Sequence, residues 1–302
     1  MTLPSADAGS SNSFDARRSR GIFRSLLSDK SAVLGLGLLA LIVGSAALAP
    51  PIAPYGPNEA NPALRLMGPG TEGHLLGLDH QGRDVLSRML YGGGLTILTG
   101  LAPVVVAALI AVPLGLVAAW VRPAGAVILR LMDVLFAFPM ALLAILVAAF
   151  LGPGTLNLLT ALVLVLLPYA VRVVHQAAAH EVVLPYVEAL RVSGTPVWKI
   201  LFVEILPNVA PPTIVYSCTV LGSIVITAAG LSFLGLGVQP PIAEWGVMVS
   251  EGRSVLFVAP HVSVVPGLGL TLLVIACNLV GDSVRDALDP RTRATLNLSD
   301  NV

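Results

Sequence analysis

Long apolar runs uninterrupted by charge constrain this chain more than any other feature. No Asp, Glu, Lys or Arg falls between Asp133 and Arg172, or between Glu204 and Glu244. A helix of about 20 apolar residues is what crosses the ~30 Å hydrocarbon core of a bilayer, and only helices or closed barrels satisfy their backbone groups there. Six segments qualify: 32–49, 95–120, 127–151, 156–174, 213–236 and 262–281. They are continuous rather than alternating, unlike the strands of a membrane barrel. The expected fold is an all-α integral membrane protein with about six transmembrane helices. Only 11% of its 302 residues are charged, against about 25% in soluble domains, and the mean hydropathy is +0.87.

Punctuation supports the boundaries. Pro50, Pro51 and Pro54 close the first segment, and Gly152-Pro153-Gly154 turns the third into the fourth. Residues 1–30 are polar, Ser- and Arg-containing, and lack the pattern of a cleaved signal, so the first span is expected to be retained. Cys218 and Cys277 lie in apolar runs and read as small buried hydrophobes. Cytoplasmic flanks carry excess Lys and Arg. With the N-terminus inside, Arg17, Arg18, Arg20, Arg24, Lys30, Arg122, Arg130, Arg172, Arg191, Lys199, Arg285, Arg291 and Arg293 fall inside, and only Arg65, Arg83, Arg88 and Arg253 outside. Both termini are then cytoplasmic, residues 50–94 external, and 172–212 the longest internal loop. This gives an N-terminal tail (1–30), a first helix with an external amphipathic segment (31–94), a transmembrane domain (95–290) and a C-terminal tail (291–302).

Two segments read as non-spanning. In 79–91, Val85, Leu86, Met89 and Leu90 oppose Arg83, Asp84, Ser87 and Arg88, which predicts a helix capped by Asp79 and lying on the outer membrane surface. The stretch 180–207, HEVVLPYVEALRVSGTPVWKILFVEILP, reads as helix, bend, helix. Pro185 suits a first helical position, Gly194 a left-handed stop, Thr195 a cap and Pro196 the next first turn. Tyr186, Leu190 and Trp198 offer apolar anchors beside Glu188, Arg191 and Lys199. The residues leave open whether this knob docks into a partner's groove or rests on the membrane.

Several chemistries lack their residues. There is no GxxxxGK[ST] to cradle nucleotide phosphates, and both lysines, Lys30 and Lys199, follow residues other than glycine. His180-Glu181 begins HExxH but has Leu184 in place of the second histidine, and the five histidines show no compact ligand spacing. Nothing calls for a cofactor, a metal ion or nucleic acid. Buried acids, which a proton-coupled carrier needs, are nearly absent from the spans; Asp133 is expected to pair with Arg130 three residues away. Gly100, Gly115, Gly222, Gly230, Gly235 and Gly237 permit close helix contacts, and Pro103 and Pro113 are expected to bend the second span. Thr99, Thr160, Tyr169, Ser217, Ser223 and Thr227 are candidates for lining a path or bonding a neighbouring helix.

Glu188-Ala189-Leu190, then Gly194, then Ile205-Leu206-Pro207 resembles the EAA loop of ABC-importer permeases. The segments LLGLDHQGRDVLSRMLYGG (75–93), LSFLGLGVQPPIAEWGVMVSEGR (231–253) and NLVGDSVRDALDPR (278–291) resemble permeases of dipeptide, oligopeptide and nickel importers, and specifically their second, C-type subunit. Three departures stand out: Leu190 where the motif has alanine, Ile205 directly before Leu206 with Glu204 one position earlier, and Val121-Arg122-Pro123-Ala124-Gly125-Ala126 where relatives carry Gly-Gly and an Asp-Arg pair.

The resemblance implies an ABC importer type I transmembrane domain forming half of a translocation pathway by alternating access. Peptides, nickel or metal chelates are the implied cargo. Implied partners are a related second permease in a heterodimer, two cytoplasmic ATP-binding subunits and an extracytoplasmic substrate-binding protein, all amid membrane lipid. ATP hydrolysis would then belong to the partners, and this chain would be a transport subunit rather than an enzyme. Tyr186, Glu188, Ala189, Leu190, Gly194, Trp198, Leu206 and Pro207 would form the ATPase-coupling loop, with Glu188, Ala189 and Gly194 as its buried knob. The rival class is an ion-driven secondary transporter.

Overall fold

The computed structural model describes residues 29–288. Arg17, Arg18, Arg20, Arg24, Arg291 and Arg293, and most of both expected tails, lie outside the described residues. Nine helices are labelled: α1 (Lys30–Ala47), α2 (Val85–Trp120), α3 (Arg122–Phe136), α4 (Met140–Leu151), α5 (Thr155–Val182), α6 (Pro185–Val192), α7 (Val197–Phe233), α8 (Trp245–Gly252) and α9 (His261–Leu288). Among the described residues, extended pairing is limited to isolated bridges. By length and composition α1, α2, α5, α7 and α9 can each cross a membrane, while α3 and α4 make a sixth span only as a pair bent by 91°.

That bend corrects the expected continuous third span. Pro139 lacks an amide donor and disfavours the helical conformation in the residue before it, so the chain turns at Ala137-Phe138-Pro139. Both halves are apolar, so hydropathy alone runs through the break. The spans expected at 156–174 and 213–236 are longer helices in the structure, which shortens the intervening loop from 172–212 to the residues between α5 and α7. Helix α2 runs through Pro103 and Pro113 as one element of 36 residues.

Helices α2, α5 and α7 form the centre, with α9 on α7 and α1 on α9. Lipid supplies no hydrophobic drive between helices, so close van der Waals fit holds them. A Cβ on Gly115 would sit 2.5 Å from Val174, and one on Gly222 would sit 2.3 Å from Asn278. Gly100 meets Val225 equally closely, whereas Gly230 faces open space. Gly125, in the departure after α2, packs against the Ala118 carbonyl. Leu158, Leu162 and Ile224 are fully enclosed between these elements. Asp29 caps α1 and accepts from Ser283 of α9 at 2.9 Å. Hydrogen bonds from Ser31 and Ser283 hold its carboxyl below the usual range.

The segment before α2 and helix α8 cover one end of the bundle. The helix expected over 79–91 starts later and is continuous with α2: Asp79 accepts from Gln81 and Arg83 in a turn, and the helix begins at Val85 under the Asp84 cap. The face expected to be polar and exposed is instead buried. Arg83 donates to Asp79 at 2.6 Å and to Glu251 at 2.8 Å, and Arg88 donates to Glu251 at 3.0 Å. Both arginines are 1% exposed. His74 pairs with Asp84 at 2.9 Å and stacks on Tyr55. Glu244, likewise buried, caps α8 through the amides of Gly246 and Val247.

Candidate functional site

At the opposite end of α5 and α7 the chain makes a projecting elbow. Helix α6 begins with Pro185 at its first turn and ends at Gly194, whose φ of +73° is the left-handed conformation the sequence predicts. The Thr195 amide donates to the Leu190 carbonyl at 3.0 Å and the Gly194 amide to the Arg191 carbonyl at 3.1 Å, the paired closure that satisfies a helix C-terminus. Thr195 is thus consumed by the stop, and Pro196, not Thr195, occupies the cap position of α7. The Thr195 hydroxyl lies 3.1 Å from that of Ser193.

The elbow has one anchored side and one open side. Val187, Ile200 and Ile205 are buried with Leu116, Val171 and Val174, and Leu190 packs beside them. Facing out are Glu188, Ala189, Val192, Ser193, Gly194 and Trp198. Trp198 is 64% and Val192 84% exposed, so apolar surface is left bare. Arg191 is stacked over the Trp120 ring at 4.0 Å, tying α6 to the end of α2. The Tyr186 hydroxyl donates to Glu181 at 2.6 Å, and Asn208 donates to the same carboxylate at 2.9 Å. Partial burial and that bond push the Tyr186 phenol up to about 12.

Beyond the bend, residues 200–205 of α7 wind as a π-helix, with the Leu206 amide reaching back five residues to Leu201. Pro207, Pro211 and Pro212 follow within the helix and supply no amide donor. Leu206 and Pro207 are thus part of α7, while Tyr186, Glu188, Ala189, Leu190, Gly194 and Trp198 belong to the elbow.

Comparison with known proteins bears on what such an elbow belongs to. The family described as binding-protein-dependent transport system inner membrane component matches residues 111–294, which include the whole elbow. The N-terminal transmembrane domain of oligopeptide transport permease C matches residues 18–69. The di/tripeptide transport system permease protein of Pseudomonas aeruginosa is 42% identical over 277 residues, covering 90% of this chain and 91% of its own. The chain belongs to this permease family. The glutathione transport system permease protein of Pectobacterium atrosepticum is 39% identical (91% and 92% covered), and the dipeptide transport system permease protein of Escherichia coli K12 is 40% identical (88% and 90% covered). The permease is a multi-pass inner-membrane component with the all-α fold of a type I ABC transmembrane domain.

The six lining candidates of the permease scatter. Thr99 is buried at 1% exposure and bonds the Thr96 carbonyl, so its hydroxyl faces the subunit's own interior. Thr160 and Ser223 are exposed, Ser217 and Thr227 half-buried, and each hydroxyl bonds its own helix backbone. Tyr169 lies against Phe136 with ring centroids 4.4 Å apart. The expected Asp133–Arg130 pair is not formed; Asp133 pairs with Arg172 of α5. Sequence reasoning missed this pair, the Glu251 partner of both buried arginines, and the bare Val192. Only Val192 had a local signal, as an apolar residue between the polar Arg191 and Ser193.

Proposed function

We propose that this permease subunit forms half of the translocation pathway of an ATP-driven peptide importer, coupled to its energy source through the elbow centred on Gly194. The observation that carries the reading is the two-sidedness of the elbow: an anchored face continuous with the bundle core and a bare face of Glu188, Ala189, Val192 and Trp198. Movement of a partner seated on the bare face reaches α5 and α7 directly. Two cytoplasmic ATP-binding subunits are the proposed occupants, one for this permease and one for a related second permease. Cargo arrives from an extracytoplasmic binding protein. The elbow and both termini are then cytoplasmic, and the cap carrying Arg83 and Arg88 is external, in keeping with the distribution of Lys and Arg. ATP-driven closure of the partners opens the path outward, and hydrolysis reverses it.

Small peptides are preferred to nickel or metal chelates as cargo because the relatives above are named for peptides or glutathione. The test is reconstitution with all partners. ATP-dependent uptake of a labelled dipeptide is expected, and uptake by the permease alone under an ion gradient would instead identify a secondary carrier.

Gly194 gives a sharper test, because a Cβ there meets nothing in this chain within 4 Å. Asparagine tolerates the left-handed conformation, so Gly194→Asn is expected to leave folding intact while filling the space a partner needs. Uptake is expected to fall about tenfold or more, equivalent to ~1.4 kcal/mol of lost coupling, in a complex that still assembles. Unchanged uptake by Gly194→Asn and by the bulkier Gly194→Trp would remove the elbow from the mechanism.

A further inference from the structure

The Asp133–Arg172 pair places two charges on the surface of the subunit, near the elbow-side boundary that the apolar spans imply for the membrane. Its side chains are 50% and 39% exposed, respectively, so this chain does not cover them. With Thr155, the first residue of α5, taken as the opposite boundary, Arg172 lies 17 residues along the helix, about 26 Å at 1.5 Å per residue, against a hydrocarbon layer of ~30 Å. An arginine can reach a headgroup from there; the short side chain of Asp133, held on Arg172, does not. Charged side chains at this depth face a water-filled cavity or the interior of a bundle.

The break between α3 and α4 adjoins the pair and adds an independent reason. Ala137, Phe138 and Pro139 are all exposed, and irregular backbone at membrane depth is tolerated only where protein buries it or water reaches it. The guanidinium of Arg172 stacks over the Phe136 ring at 4.2 Å, and the Tyr169 ring lies tilted against Phe136 with centroids 4.4 Å apart. One open patch therefore brings together an anion, a cation and two aromatic rings.

We infer that this patch is a recognition station at the elbow-side end of the pathway, reading the two charged termini of a peptide. The inference rests on the permease reading above and deepens it. The planar fork of Arg172 takes the peptide carboxylate, Asp133 takes the terminal ammonium, and the Phe136 and Tyr169 rings receive apolar side chains. An arriving peptide exchanges one internal ion pair for two external ones, so neither protein charge is left uncompensated in a low dielectric. A blocked terminus leaves one of them without a partner.

The test uses the complete complex with the permease carrying Cys218→Ala and Cys277→Ala. ATP-driven dipeptide uptake is first verified in proteoliposomes, after Ala137→Cys is added beside the patch. In nanodiscs, a charged methanethiosulfonate reagent is expected to modify that cysteine without nucleotide and far more slowly with vanadate-trapped nucleotide. Dialanine is expected to slow modification about fivefold, the free fraction left at a few times its Kd. Dialanine amide and N-acetyl-dialanine are expected to give no protection. Arg172→Gln is expected to abolish protection by dialanine while the complex still assembles. A cysteine inert in every nucleotide state, in complexes that import dipeptide, overturns the inference and assigns the patch to lipid or the second permease. Equal protection by free and capped peptides also overturns it. Failure of the parent to import anything with all partners present overturns the permease reading itself, so the two failures are distinguishable.

Discussion

The two ends of this molecule solve opposite problems. The cap, built from the segment before α2 and from α8, joins Arg83 to Glu251 across 168 positions of sequence and draws Asp79 and Arg88 into the same buried network. The elbow leaves Val192 and Trp198 bare and holds its shape with local bonds, chiefly those of α6 and Gly194. A buried ionic network is costly to break and resists rearrangement, whereas an exposed elbow seated on an apolar core can be gripped and moved as a unit. On the proposed reading, the difference separates a rigid end from a working end.

The sharpest way to break this contrast is to remove a charge from the cap. Arg88→Ala leaves Arg83 alone to balance Asp79 and Glu251 and is expected to destabilise the subunit by about 3–5 kcal/mol, as loss of one member of a buried ion cluster does. Thermal unfolding in detergent measures this, and a shift as small as that of an elbow substitution would erase the distinction between the ends.

Glu244 sharpens the same comparison through pH. Burial pushes its carboxyl up, against the hydrogen bonds from Gly246 and Val247 that favour the ionised form. The folded state then holds a proton that the unfolded state has already released. Its contribution is fully present below the ordinary carboxylate value and is lost as pH rises through the elevated folded value. Glu244→Gln is expected to cost about 1 kcal/mol through a weaker cap and to flatten that dependence, read as melting temperature against pH. A wild-type midpoint that rises over this interval would contradict the assignment.

The smallest effect belongs to the elbow. Tyr186→Phe removes the bonds to Glu181 and Asn208 and is expected to cost about 0.5 kcal/mol, at the low end for a hydrogen bond in an exposed setting. With its phenol pushed up to about 12, Tyr186 stays protonated through the neutral range, so the loss is expected to be independent of pH there. A cost rivalling that of Arg88→Ala would mean the elbow is as locked as the cap.

Much of the membrane body was legible because lipid demands long apolar runs, and the elbow because Pro185 and Gly194 carry their conformational preferences wherever they occur. Side-chain pairing was not. Local spacing favoured Arg130 for Asp133, yet the bend at Pro139 and the course of α5 bring Arg172 instead. The 91° turn left no trace in hydropathy, since lipid-compatible residues lie on both sides of it. Arg83 and Arg88 followed an amphipathic pattern that ordinarily means an exposed face; their burial depends on Glu251, whose position is fixed only by tertiary packing.

The irregularities of α7 are all gathered near its beginning. Its π-helical turn and Pro207, Pro211 and Pro212 precede Thr213, and no further proline interrupts it up to Phe233. Compliance is therefore concentrated next to the elbow, and the remainder behaves as a stiff lever of about 30 Å. Pivoting that lever by about 10° carries its far tip sideways by roughly 5 Å, about half the 8–10 Å spacing between packed helices. A small rocking at the base thus becomes a large sweep at the tip, where the Phe233 carbonyl is bonded to Ser250 of α8.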